Sequence, residues 1–89
     1  MELIKFISKK KQKPIGVLTA NEKDGHLYVG WSLCCKEDVF NEETGVQGAK
    51  LREAYEIGLY TVPHSIRREF TRFANHARRY FIYKGAKIL

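Results

Sequence analysis

Apolar residues divide the first third of the chain into three short segments that are typical of β-strands. Leu3–Ile7 and Ile15–Ala20 are rich in β-branched and aromatic residues. In His26–Leu33 apolar residues alternate with polar or small ones, so one face of this segment can enter a core. The Asp24-Gly25 pair that precedes it favours a tight hairpin turn. Residues 1–33 are therefore predicted to form a three-stranded antiparallel meander.

The remainder of the chain has the spacing of helices. Residues 42–58 are predicted to form a helix that is capped by Asn41 or Thr44, runs to about Ile57 and ends at Gly58. The strongest helical pattern covers residues 64–83, with Ser65 as its N-cap. Its apolar residues span about 120° of a helical wheel and are expected to dock on the sheet: Ile66, Phe70, Phe73, Ala74, Ala77, Tyr80 and Phe81.

These elements predict an α+β fold, in which an antiparallel sheet of three or more strands packs against two helices. The 89 residues, 44% of them hydrophobic and 29% charged, fit one globular domain over residues 1–89. Because so short a chain buries a modest core, we expect a homodimer or a higher homo-oligomer. No apolar run is long enough to cross a bilayer, so no membrane association is expected.

Two features of the sequence indicate a cytoplasmic protein. A short apolar stretch, Leu3–Ile7, stands ahead of the lysine-rich segment, which is the wrong order for a secretory signal. Cys34 and Cys35 are adjacent, and neighbouring cysteines do not form an ordinary disulfide. Reduced, partly buried thiols fit a reducing compartment.

Charge is distributed unevenly along a chain whose net charge is +6. Residues 1–13 carry five lysines against one glutamate, and residues 14–60 carry four basic against eight acidic side chains. Residues 61–89 carry seven basic side chains against one acidic one, and hold five of the six arginines. Since a guanidinium group can form two hydrogen bonds to one phosphate, a specific anion site is expected in residues 61–89.

Four polar residues lie within about 60° on the face of the last helix that is opposite its apolar stripe. They are Arg68, Arg72, Asn75 and Arg79. A row of forked donors one turn apart can hold several phosphate oxygens, which predicts an anion-binding surface. The alternative is that these arginines only keep the helix soluble, although a solubilising face usually mixes both signs of charge.

A second group of candidates lies between the third strand and the first helix. Phe40 can stack on a base, and Asp38 and Asn41 can bind a ribose hydroxyl or a base edge. The alternative is that Asp38 or Asn41 caps the helix that follows. Tyr28, on the mixed face of its strand, is a further candidate for stacking.

Motifs of catalysis are missing from the sequence. There is no nucleophile elbow, no phosphate-binding glycine loop, and no spacing of histidines or cysteines that indicates a metal site. We therefore expect a protein that is not an enzyme and that holds no cofactor or metal.

One spacing resembles a set of small bacteriophage-encoded proteins. It is Gly30-x-Ser32-x-Cys34-x-x-x-Asp38-x-Phe40-Asn41-x-x-x-Gly45, followed by Ala49-x-x-Arg52, and the stretch Ala77-Arg78-Arg79-Tyr80-Phe81 is similar to their basic ending. The similarity covers residues 29–54 and 66–81, about half of the chain. The sequence departs from the pattern after Arg52, where Glu53 replaces the expected alanine.

Within this set, the chain is most similar to the Thoeris anti-defence sponge family, which binds a cyclic ADP-ribose signal without cleaving it. The resemblance implies an antiparallel sheet on two helices, a homo-oligomer, and ligand pockets near subunit boundaries. It predicts a phage counter-defence protein of the host cytoplasm that sequesters a cyclic ADP-ribose-type nucleotide.

The ligand-binding residues predicted for this function are Asp38, Phe40, Asn41, Arg52, Arg68, Arg72, Asn75 and Arg79. Two alternatives stay open. The protein is a small basic DNA- or RNA-binding protein, or it is an inhibitor that docks its arginines on an acidic groove of a host protein.

Overall fold

A computed structural model describes residues 2–8, 15–34, 41–55 and 61–88 of the chain. The strands β1 (Glu2–Ile7), β2 (Gly16–Lys23) and β3 (His26–Leu33) form one antiparallel sheet in the order β1-β2-β3. The helices α1 (Glu42–Leu51) and α2 (Arg67–Tyr83) follow, and a short 3-10 turn over His64–Ile66 leads into α2. The predicted α+β arrangement of a three-stranded sheet and two helices is confirmed.

The hairpin between β2 and β3 turns at the predicted Asp-Gly pair. Asp24 and Gly25 both have positive φ angles, 54° and 82°, as the favoured two-residue hairpin turn requires. The N–H of Gly25 also donates to a carboxylate oxygen of Glu22 at 3.0 Å. Because the turn contains only two residues, strand pairing continues up to Lys23 and His26. β2 therefore extends to Lys23, beyond the predicted end at Ala20.

The two helices cover opposite faces of the sheet. Leu18, Ala20 and Val29 share a core with α2, and we call their side of the sheet the α2 face. The residues that alternate with them point to the other side, where Ser32 Oγ donates to the carbonyl of Gly45 in α1 at 2.6 Å. We call that side the α1 face. The sheet is therefore the middle layer of three.

The apolar stripe predicted on the last helix is the one that α2 buries. Ile66, Phe70, Phe73, Ala77 and Phe81 are all buried against the sheet. Full burial of one large apolar side chain stabilises a fold by about 1.5–3 kcal/mol relative to its exposure. Docking of this stripe turns the opposite side of α2 toward solvent, which positions the arginines.

The first helix is shorter than the predicted 42–58. It ends at Leu51, Arg52 is its C-cap, and Ala54 pairs with Val29 as an isolated antiparallel bridge. The helical pattern is overridden because backbone groups beside β3 find partners in the sheet. Residues 56–60, which include the predicted end at Gly58, lie outside the described residues.

Ser65 is not the N-cap of the last helix, contrary to the prediction. It lies inside the 3-10 turn, and the cap of α2 is Ile66, which makes no side-chain capping bond. At the start of α2, Nε of Arg67 instead donates a hydrogen bond to the carbonyl of Val62 at 2.9 Å.

Among the described helices, none is long and apolar enough to cross a membrane.

Candidate phosphate-binding surface

The arginine row predicted on the last helix is a continuous exposed surface of α2. Arg68, Arg72, Asn75 and Arg79 are all exposed, on the side of α2 away from its buried phenylalanines. We call these four residues the arginine face. The helical rise separates Arg68 from Arg72 by about 6 Å, and Arg68 from Arg79 by about 16 Å. The structure therefore brings four of the eight predicted site residues together.

Described carboxylates do not neutralise this surface. Among the described residues, the ion pair that forms is the one between Lys50 and Glu2, at 2.7 Å, on the α1 face. Glu69 is the acidic residue of α2, yet its Oε2 is buried and finds no hydrogen-bond donor among the described residues. The guanidinium groups of Arg68, Arg72 and Arg79 are thus available to an external anion.

Two exposed side chains extend the arginine face toward the end of α2, and the sequence prediction did not include them. Ile82 is 50% exposed and Tyr83 is 84% exposed. Tyr83 follows Arg79 by four residues and so lies on the same face. The ammonium group of Lys84 lies 5.9 Å from the centre of the Tyr83 ring. The signal in the sequence is this four-residue spacing from Arg79.

Arg52 belongs to the end of α1 and not to the helix that carries the arginine face. Its Nη1 donates to the carbonyl of Trp31 at 3.3 Å, and its guanidinium carbon lies 4.3 Å from the centre of the Trp31 ring. A cation over an aromatic face is attracted to the ring quadrupole. Arg52 thus contacts the outer edge of β3 and the ring of Trp31, which points to the α2 face because Trp31 is opposite Leu18.

Asn41 has the role that the alternative interpretation gave it. Its Oδ1 accepts a hydrogen bond from the backbone N–H of Thr44 at 2.9 Å, as an N-cap does. Asp38 and Phe40 lie outside the described residues. Within one copy, neither Asn41 nor Arg52 joins the arginine face.

Tyr28, the other candidate for stacking, packs among rings on the α1 face. Its ring centre lies 6.0 Å from that of Tyr55, and the ring of His26 meets Tyr55 edge to face at 4.4 Å. Tyr28 is half-buried, and Tyr55 is the exposed member of the cluster. Aromatic contact within the protein accounts for the position of Tyr28.

Two charged residues on the α1 face have shifted pKa values. Burial raises the pKa of Glu53, whose Oε2 accepts from the Thr19 hydroxyl at 2.8 Å. The hydrogen bond to Glu2 raises the pKa of Lys50. Within the described parts of the chain, no three side chains of histidine, cysteine, aspartate or glutamate gather into a possible metal site.

Comparison with known proteins returns no relative. The chain matches no family model, no curated protein and no solved structure. The resemblance to the Thoeris anti-defence sponge family therefore stays a prediction, and the site has to be interpreted from its own geometry.

Proposed function

We propose that the protein binds phosphate groups of a nucleic acid through the arginine face of α2 and does not cleave its ligand. The observation that carries this proposal is the row of exposed guanidinium groups that no described carboxylate neutralises. The planar guanidinium group of arginine can bind two oxygens of one phosphate at the same time. A net charge of +6 adds a long-range attraction for polyanions.

The shape of the surface favours a polymer over one small nucleotide. The arginine face follows the outside of a helix for about 16 Å, which is longer than a single pyrophosphate. A nucleic-acid backbone presents successive phosphates to such a row, and an exposed tyrosine at its end offers a ring on which a base can stack. Support for sequestration of a cyclic ADP-ribose-type nucleotide comes from the sequence resemblance, and it shares the same phosphate chemistry.

The proposal includes a location in the cytoplasm of the cell, of the host if the chain is phage-encoded. Cys34 is a half-buried thiol that forms no disulfide. Thiols of this kind persist in reducing compartments, where nucleic acids and nucleotide signals are also found.

Fluorescence anisotropy with labelled single-stranded and duplex DNA tests this function. If each of the three arginines contacts one phosphate, affinity should fall by about 20- to 40-fold between about 50 and 200 mM salt. Replacement of Arg68, Arg72 or Arg79 by alanine should each weaken binding and reduce the slope of log K against log salt by about 0.7–0.9. Lys23→Ala is the matched control, because Lys23 is an exposed cation on the α1 face.

Two outcomes would contradict this function. One is an affinity that does not depend on salt. The other is a loss of binding in Lys23→Ala as large as the loss in Arg72→Ala.

Thermal shift with cyclic ADP-ribose isomers distinguishes the two sources of phosphate. A rise in Tm that disappears in Arg72→Ala, together with no DNA binding, assigns the arginine face to the small nucleotide. A rise in Tm that is equal in the native protein and in all three arginine variants places the nucleotide elsewhere and overturns the role of α2.

A further inference from the structure

The arginine face ends at an exposed aromatic ring. Tyr83 is 84% exposed and belongs to the last turn of α2, about 6 Å along the helix axis from Arg79. It is turned about 40° from Arg79 around the helix, so its ring lies on the same side. The ammonium group of Lys84 lies 5.9 Å from the centre of this ring. A ring that is 84% exposed still has an aromatic face open to a ligand.

The cap of α2 holds the backbone of Tyr83 in place. The N–H of Gly85 donates to the carbonyl of Ile82 at 3.0 Å. The N–H of Ala86 donates to the carbonyl of Phe81 at 2.9 Å. With the φ angle of 96° at Gly85, these two bonds form a Schellman motif, and Ala86 packs against the core. The last turn is therefore closed, and it presents Tyr83 on a fixed element.

A fixed, exposed ring suits a flat partner. A tyrosine side chain has two χ angles, so little conformational entropy is lost when a ligand covers its ring. Every base has a π face, so stacking on an aromatic ring tolerates any base. Ile82, the preceding residue, is 50% exposed and gives this end of α2 a second apolar side chain. The end of α2 therefore fits the base of a nucleotide, and the arginines before it fit its phosphates.

The bases of a duplex are not available to such a ring. Each base is stacked between its neighbours, and a base reaches a protein ring only after both its stacking and its pairing are broken. In a single strand the bases can turn out from the backbone, which offers phosphates and a base to the same surface. Charge alone favours the duplex, whose phosphates are more densely spaced. A ring beside the arginines therefore favours the single strand.

We propose that the arginine face binds single-stranded nucleic acid and that Tyr83 holds one unpaired base by stacking. This inference rests on the proposed function, in which Arg68, Arg72 and Arg79 bind the phosphates. The strand follows the arginines toward the C-terminal end of α2, where one base turns onto the Tyr83 ring. Lys84, beside this ring, offsets the negative end of the helix dipole and adds a positive charge for the phosphate of that nucleotide.

Fluorescence anisotropy with one labelled strand, alone and paired with its complement, tests the proposal. The native chain should bind the single strand more tightly than the duplex. Tyr83→Ala should lose roughly 5- to 150-fold in affinity for the single strand, the range for one stacked base, and should bind the duplex as the native chain does. Tyr83→Phe should keep the native affinity, because stacking needs the ring and not the hydroxyl group.

Two controls separate stacking from other effects of the substitution. Tyr55→Ala is the matched variant, because Tyr55 is also an exposed tyrosine but lies in the ring cluster on the α1 face. Its affinity for the single strand should equal that of the native chain. An abasic strand of the same length removes the stacking partner, so the native chain and Tyr83→Ala should bind it equally. Circular dichroism of each variant shows whether it is folded.

The salt dependence separates stacking from charge. Stacking releases no counterions, so Tyr83→Ala should lose the same factor in affinity at about 50 and about 200 mM salt. Its slope of log K against log salt should therefore equal that of the native chain. Arg72→Ala should reduce this slope, because it removes a contact to a phosphate.

Failure of this inference and failure of the proposed function give different results. Equal affinity of the native chain and Tyr83→Ala for the single strand, or a native preference for the duplex, overturns the stacking and leaves the arginine face as a phosphate-binding surface. A loss in Tyr83→Ala that is equal for the single, duplex and abasic strands also overturns the stacking. Absence of binding to any strand, or binding that is unchanged in Arg72→Ala, overturns the proposed function and this inference with it.

Discussion

A Cβ atom on residue 30 of β3 would overlap the carbonyl oxygen of Ala49 in α1, and residue 30 is glycine. The same Cβ atom would come within 2.9 Å of the Glu53 side chain. The missing side chain lets α1 approach the sheet closely enough for Glu53 to reach the buried hydroxyl of Thr19. Gly30 is thus the point on which the packing of the whole α1 layer depends.

Gly30→Ala should destabilise the fold strongly. The added methyl group would overlap backbone rather than a side chain that can rotate away, so α1 must shift, at a cost of about 1–3 kcal/mol or more. Urea unfolding followed by circular dichroism measures this loss. Gly48→Ala is the control, because its Cβ would meet Ser32 at an ordinary 3.4 Å and alanine favours a helix by up to about 1 kcal/mol. Equal stability of Gly30→Ala and the native chain would refute the close packing.

Asn41→Ala should cost about 1 kcal/mol of folding free energy, because it removes the side-chain oxygen that caps α1. Thr44→Ala should change little, since the capped group is the backbone N–H of Thr44. Chemical denaturation measures both variants. The Asn41→Ala and Thr44→Ala variants should have the same affinity for an oligonucleotide. A loss of affinity in Asn41→Ala alone would show that Asn41 contacts the ligand.

Arg52→Ala should expose Trp31 and shift its fluorescence emission to longer wavelength. Trp31 is the one tryptophan of the chain, so tryptophan emission reports on the surroundings of this ring. The expected loss of stability is about 0.5–1 kcal/mol, as for a cation–π contact at the protein surface. Arg52→Lys, which keeps the charge but not the planar fork, should restore part of the stability. An unchanged emission spectrum in Arg52→Ala would contradict the stacked geometry.

Glu53→Gln should raise the Tm at neutral pH. Burial raises the pKa of Glu53 above its ordinary value, so the folded state holds this proton more tightly than the unfolded chain does. The stabilising effect of protonation is present at low pH and is lost as the pH rises through the folded-state pKa. Glutamine imitates the protonated form and can still accept from Thr19.

A pH series of thermal melts checks the role of Glu53. The gain in Glu53→Gln should shrink as the pH falls below the pKa of Glu53, because the native carboxyl group is then neutral too. Glu43→Gln is the control, since Glu43 is exposed in the first turn of α1 and should show no such gain. A Tm difference that is equal at every pH would contradict burial as the cause.

Elements with strong local patterns were predicted well. The alternation in β3 and the Asp24-Gly25 turn depend on neighbouring residues, and the structure has both where they were expected. The apolar stripe of α2 is confirmed for the same reason, and it determines which side of the helix carries the arginines.

Predictions failed where a distant contact decides the outcome. The end of α1 depends on the pairing of Ala54 with Val29, which are far apart in sequence. Ser65 has the chemistry of an N-cap, but the 3-10 turn and the bond from Arg67 to Val62 shape the start of α2. Local propensity is worth about 1 kcal/mol or less at each position, so tertiary contacts override it.

By itself, the sequence determined the strands, the hairpin, the amphipathic character of α2 and the alignment of Arg68, Arg72, Asn75 and Arg79, because periodicity and turn chemistry act between near neighbours. Only the tertiary structure decided that α1 and α2 cover opposite faces of the sheet, and that Arg52 stacks on Trp31 at the outer edge of β3. The physical reason is that each helix is placed by the burial of side chains from other elements, and no local pattern encodes which face remains for it.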